Sequence, residues 1–207
     1  MMQNIFIHII DFIFPPKPEE LELRDMTPAK LLENSPKALR TEFPFIKTIF
    51  SYKNPLIREM IWQIKYKKNK HCLKLAGFVL YNELIKSNLT SITLIPIPIS
   101  KKRRKERGYN QAELIIDEII KLDTDNKFKS GYEILIRNKD IEKQTFKNRN
   151  ERIDNTKNIF KVIRPALSEQ RIVIIDDVTT TGSTLKEARD ELLLSGYFNV
   201  SALTIAH

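Results

Sequence analysis

The stretch Arg171 to Thr184, RIVIIDDVTTTGST, decides the fold. Ile172 to Ile175 is an unbroken aliphatic run. A strand buried on both faces reads this way, whereas a half-exposed strand alternates. Asp176 and Asp177 follow at its carboxyl end, where open α/β sheets hold their ligands. Thr179, Thr180, Thr181, Ser183 and Thr184 then surround Gly182, whose missing Cβ lets the backbone approach a bound group closely. A helix opening here offers unpaired N–H groups and the positive end of its dipole, together an anion site. Carboxylates for sugar hydroxyls beside a cradle for a phosphate describe a site for a phosphorylated ribose. Read alone, the run also admits a metal site or a solvated turn closed by a Ser/Thr cap.

Two other phosphate motifs are excluded. No Lys follows Gly182 and the G-x-x-x-x-G spacing is absent, so this is not a Walker A loop. A chain with five glycines and no G-x-G-x-x-G carries no Rossmann fingerprint. The run resembles instead the 5-phosphoribosyl-1-pyrophosphate (PRPP) signature of type I phosphoribosyltransferases.

Working outward, strand and helix patterns alternate from residue 92. Ile92 to Ile99 reads as a strand carrying Pro96 and Pro98, and Asn110 with Glu113 as a capping box opening a helix. Glu133 to Arg137 is a second strand and Ile172 to Val178 a third. Leu185 to Leu194 is a helix closed by Gly196, and Val200 to Ala206 the last strand. On the amino-terminal side, Asn54-Pro55 caps a helix whose stripe is Ile57, Met60, Ile61 and Ile64. A further helix runs from about Leu73 to Ile85, with Cys72 as a small core residue. Such alternation predicts an α/β fold, a mostly parallel sheet flanked by helices. Residues 15–54 carry Pro15, Pro16, Pro18, Pro28, Pro36 and Pro44 among charges and predict a small irregular arm. The expected organisation is residues 1–49 as an amphipathic segment and Pro-rich arm, and 50–207 as the α/β domain.

A chain of 207 residues, 42% hydrophobic and 29% charged, suits one such domain with an appendage. The net charge of +9 favours anionic partners, phosphorylated small molecules or nucleic acid. Cys72 is the single cysteine and the three histidines are scattered, which excludes an internal disulfide and a thiolate zinc site. Ile5 to Phe14 is apolar apart from His8 and Asp11, far short of the about 20 residues a membrane span needs. No basic residue precedes it as in a secretory signal, so a cytoplasmic location is expected.

Two more segments carry chemistry. SKKRRKERGYNQ, Ser100 to Gln111, leaves the carboxyl end of the Ile92 strand and should lie near the Asp pair. It reads as a basic loop for a diphosphate, or as a nucleic-acid patch. Residues 137–160 are polar and too long for an ordinary connection. They form either a disordered segment or a lid that keeps water from a reactive ribosyl centre.

Tyr52, Pro55, Lys65-Tyr66, IPIPIS, RGYNQAE, then Gln144, Glu151-Arg152, Asn155 and Phe160 precede the PRPP run in one order. With the opening IIDFIFPP, this order resembles the ComF family, competence-associated proteins of the type I phosphoribosyltransferase-like fold. The resemblance covers roughly residues 50 to 207. It implies that Asp176 and Asp177 hold ribose hydroxyls and that Thr179 to Thr184 hold the 5′-phosphate. Ser100, Lys101, Lys102 and Arg107 would hold the diphosphate. Gln111, Arg137, Gln144, Arg149, Arg152 and Asn155 would meet phosphate or a second substrate. Mg²⁺ would enter through PRPP and water, without a protein-built metal site. The family's usual four-cysteine zinc module is missing from residues 15–50, so no zinc is expected.

Three functions stay open: phosphoribosyl transfer to a nitrogen acceptor, handling of incoming single-stranded DNA in natural transformation, and PRPP sensing without chemistry. The resemblance implies single-stranded DNA and a DNA-uptake ATPase as partners besides PRPP. Oligomeric state, a homodimer included, is not fixed by the residues.

Overall fold

Among the described residues, proline opens the first three helices, α1 (Pro18–Arg24), α2 (Pro28–Asn34) and α3 (Pro55–Trp62), at a position where its missing N–H would have no partner anyway. The structure is a computed structural model and describes residues 15–38, 41–87, 91–138, 159–164 and 171–207. Between α2 and α3 lies β1 (Ile46–Phe50). One π-turn (Gln63–Lys67) follows α3, and α4 (Lys70–Ile85) starts at Asn69, whose side chain accepts from the N–H groups of His71 and Cys72. The chain continues through β2 (Ile92–Pro96), α5 (Lys101–Arg107), α6 (Gln111–Leu122), β3 (Phe128–Ser130) and β4 (Leu135–Arg137). It ends with β5 (Phe160–Val162), β6 (Arg171–Val178), α7 (Ser183–Leu194) and β7 (Asn199–Ala206).

Five strands form one sheet in the order β1-β7-β6-β2-β3, every pair parallel. The α/β architecture expected from the sequence, a mostly parallel sheet flanked by helices, is therefore present. β4 and β5 make a separate antiparallel pair. Because β6 is covered on both sides, its aliphatic run divides between two cores. Val173 and Ile175 pack with Ile57, Met60, Leu80, Ile115 and Ile116 on one face. Ile172 and Ile174 pack with Leu185, Leu192, Phe160 and Ile46 on the other. Each such side chain, fully buried, contributes roughly 1.5–3 kcal/mol. Helix α7 closes in a Schellman turn, where Gly196 N–H donates to Leu193 O and Tyr197 N–H to Leu192 O.

The structure corrects four expectations. The arm is not irregular: Leu23 and Leu31 anchor two seven-residue helices in the core, too short to show periodicity. β1 is an edge strand of the main sheet, so a boundary between residues 49 and 50 would cut through it. The strand that neighbours β2 is Phe128–Ser130, whereas Glu133 to Arg137 supplies only the short β4. Gly131 turns the chain away between them, its N–H on Leu94 O and no room for a Cβ beside Thr93 and Ile134. Finally, Lys101–Arg107 is a helix rather than a loop: Ser100 Oγ accepts from Arg103 N–H, and Gly108 ends it at φ +79°. Lys, Arg and Glu have good helix propensity, which a search for apolar periodicity overlooks.

Candidate functional site

The carboxyl ends of β2 and β6 open into a cleft of about 630 Å³. Its floor is the Asp pair. Asp176 is half-buried and its Oδ1 accepts from Asp177 N–H at 2.8 Å. Asp177 is buried; its Oδ1 accepts from Val178 N–H at 3.0 Å and from Gln111 Nε2 at 3.4 Å. Lys65 Nζ lies 2.8 Å from Asp177 Oδ2, with Lys65 20% and Asp177 3% exposed. That approach satisfies charge but not hydrogen-bond alignment, so Oδ2 keeps an open acceptor direction. Burial pushes the Asp176 carboxyl well above the usual carboxylate range, and the neighbouring Asp177 charge adds to it, against a smaller opposing pull from Lys65.

One end of the cleft is the turn Thr179 to Thr184, all of whose residues line it. Thr179 is buried and its N–H donates to Ala206 O. Thr181 Oγ1 and Ser183 Oγ lie 2.8 Å apart. Gly182 has φ +76°, and a Cβ there would stand 2.6 Å from Phe43 Cδ2 and 2.9 Å from Ile46 Cδ1. Glycine is thus required by both conformation and space, and no side chain from this position caps α7.

The other wall is α5. Ser100, Arg103 and Arg107, three and four residues apart, share the face that lines the cleft. Lys101 and Lys102 do not line it. Lys101 faces a separate cleft of about 220 Å³ with Arg104, Glu113 and Tyr132, and Lys102 pairs with Glu106 on the surface. Arg104 is held by Glu113 at 2.6 Å, so Glu113 serves an ion pair rather than the expected capping box. Arg107 Nη1 donates to Gln111 Oε1 at 2.9 Å, so Gln111 bridges Arg107 and Asp177.

A third wall is aromatic: Tyr52, Trp62 and Tyr66. Trp62 and Tyr66 are 44% and 59% exposed, with ring centroids 5.7 Å apart. Lys17 and Lys67 lie over Trp62, and the Arg107 guanidinium 5.3 Å from the Tyr66 centroid. Arg137 also lines the cleft and lies over Phe160. The other residues expected to meet phosphate or a second substrate, Gln144, Arg149, Arg152 and Asn155, lie outside the described residues. Among the described residues no three His, Cys, Asp or Glu side chains are grouped to hold a metal, and no helix is long and apolar enough to cross a membrane. Cys72 is buried in the core, its thiol pushed up to about 12 by burial.

Sequence reading gave no site role to Lys65, Tyr52, Trp62 or Tyr66, and included Arg103 only as part of the basic segment Ser100 to Gln111. The i, i+3, i+7 spacing of Ser100, Arg103 and Arg107 is the signal that identifies one face once α5 is taken as a helix.

Fold and cleft define an α/β protein with a polar, charge-divided cleft at the carboxyl edge of a parallel sheet. No protein-family model matches the chain. It is 36% identical over 113 residues to the competence protein ComFC of Bacillus subtilis, covering 54% of this chain and 43% of that protein. It is 28% identical over 154 residues to the DNA utilization protein YhgH of Escherichia coli strain CFT073, covering 72% of this chain and 66% of that one. The matches thus span about half to two thirds of these relatives' lengths. Its homologues are competence and DNA utilization proteins, and they support a ComF-family assignment of the chain. A hypoxanthine phosphoribosyltransferase from Staphylococcus aureus aligns over 64% of this chain and 61% of its own at 13% identity, with a TM-score of 0.41, too loose to carry an argument.

Proposed function

We propose that the cleft binds PRPP and transfers its phosphoribosyl group to a nitrogen acceptor. The observation that carries this reading is the meeting in one cleft of a hydroxyl-rich turn with an obligatory glycine, paired carboxylates and the Arg103 and Arg107 face. Those three groups suit a phosphate, a diol and a diphosphate on one ligand. The turn and the start of α7 would take the 5′-phosphate. Asp176 and Asp177 would accept from the ribose hydroxyls and favour positive charge developing at C1, with Arg103 and Arg107 holding the diphosphate. The C1–O bond to diphosphate breaks as the acceptor nitrogen bonds to C1 and sheds its proton. A Mg²⁺ carried in by the diphosphate would be held by that group and water, with Asp177 already paired to Lys65, and would supply charge neutralisation of the leaving group. Calorimetry with PRPP and Mg²⁺, followed by an assay of pyrophosphate release across nitrogen bases, tests it. Binding without release would mark a sensor, and absence of binding would overturn the reading.

A second reading, single-stranded DNA binding, is favoured by the exposed Trp62–Tyr66 pair with its cations. Bases stack on such platforms while cations meet phosphates. The names of the relatives, competence and DNA utilization proteins, support it. Affinity should fall with salt by a log–log slope of about −0.7 per neutralised phosphate. Trp62→Ala should weaken binding by about 1–3 kcal/mol. A signal indifferent to both would dismiss DNA as a ligand of this face.

A further inference from the structure

The hydroxyl of Tyr109 is inserted into the ladder of the helical segment that carries Lys65. In an α-helix, Lys68 N–H would donate to Ile64 O. Here Lys68 N–H is shared between Gln63 O, the i→i−5 bond of a π-turn, and Tyr109 Oη at 3.1 Å, while Tyr109 Oη–H donates to Ile64 O at 2.6 Å. The hydroxyl thus takes the Ile64 carbonyl that Lys68 N–H would use in an α-helix, and Gln63–Lys67 opens into a π-turn that ends with Lys68 at φ +49°. Insertion of a side chain into the ladder is a recognised cause of such distortion. Two further contacts join the same segments: Lys68 Nζ over the Tyr109 ring at 5.3 Å, and Arg107 over Tyr66.

A π-turn holds one residue more than an α-turn, so it sets the rotation of every side chain on it. Closing it would turn the residues that follow by about 100° about the helix axis, and Lys65, at its middle, by part of that. We propose that Tyr109 is a positioning residue, its hydroxyl holding the turn that presents Lys65 to Asp177. It also links α5, which supplies Arg103 and Arg107, to the acidic floor. The consequence for ligand binding rests on the reading of the cleft given above; the consequence for the empty site does not.

Tyr109→Phe keeps the ring and removes the inserted oxygen. In the ligand-free chain, the Lys68 amide resonance should shift as its N–H passes from Gln63 O to Ile64 O and the turn closes. The Asp176 carboxyl, which faces Asp177 and Lys65, should titrate higher by carbon-13 NMR, because the Lys65 charge that draws it down has moved. PRPP affinity should fall about tenfold, with no further fall when Tyr109→Phe is added to Lys65→Met. An unchanged Asp176 titration alongside a shifted Lys68 amide would overturn the proposal, since the hydroxyl would then serve the turn alone. Should Tyr109→Phe fail to fold, 4-fluorophenylalanine at this position fills the space without donating to Ile64, and the same titration decides. A wild-type chain that ignores PRPP would remove the reading of the cleft, while the titration would still judge Tyr109.

Discussion

The Lys65 ammonium lies 2.8 Å from Asp177 Oδ2 across the cleft floor, joining the π-turn to the end of β6. Removing one partner of a buried pair leaves the other charge stranded, at a cost of about 3–5 kcal/mol. Lys65 still reaches solvent, which places Lys65→Met near the low end, about 3 kcal/mol by urea denaturation. Adding Asp177→Asn should restore most of that loss, and a double-mutant cycle measures the coupling. Strictly additive losses would show that the pair has no net interaction.

PRPP binding should depend on both carboxylates. A hydrogen bond to a charged group is worth roughly 1.5–3 kcal/mol. Asp176→Ala with Asp177→Ala should therefore weaken affinity by about 100-fold or more. Calorimetry at constant Mg²⁺ checks this, and equal affinity would remove the ribose assignment.

Asp176 should cost the empty protein stability at neutral pH. Its carboxyl is raised in the folded chain by burial and by Asp177, so the folded state binds the proton more tightly than the unfolded one. Stability is therefore favoured below the ordinary carboxyl range near 3.9 and declines as pH rises toward the raised folded value. Asp176→Asn should raise Tm at pH 7, by about 2–4 °C for each kcal/mol relieved, with the gain shrinking toward pH 3. A Tm gain of the same size at pH 3 and pH 7 would contradict this cause.

Gly182→Ala should destabilise the chain even without ligand. The φ of +76° costs an L-residue about 1–2 kcal/mol, and the clash with Phe43 and Ile46 adds about 1–3 kcal/mol of overpacking. Chemical denaturation should show their sum. A loss below about 0.5 kcal/mol would mean that the turn relaxes freely.

Neighbouring cations on α5 should differ sharply. Arg103→Ala and Arg107→Ala should each lower PRPP affinity by about tenfold or more, since both line the cleft. Lys102→Ala, pointing to Glu106, should leave it within about twofold. Equal losses at all three positions would indicate attraction by net charge rather than by a built wall.

Much of the fold was legible because its signals are local. An aliphatic run marks a doubly buried strand, and Asn54, Asn110, Gly182 and Gly196 mark helix ends through conformation and hydrogen bonding. The place of the Asp pair followed from β6 alone, since a parallel strand presents its carboxyl end to the ligand side. The helices of the arm and the edge strand β1 were not legible, because two turns or five residues are too few for a period to emerge.

By itself, then, the sequence determined a parallel α/β sheet and a turn that only glycine can make. The tertiary structure decided which cations reach the acidic floor. Lys101, Lys102 and Arg103 are chemically alike and adjacent, yet the helix turns each by about 100° from the last, and only Arg103 lines the cleft. Lys65 and Tyr109 escaped detection for a related reason. The ion pair of Lys65 with Asp177 and the insertion of Tyr109 between Ile64 and Lys68 join segments far apart in the chain, and such pairings are set by packing, which no local pattern encodes.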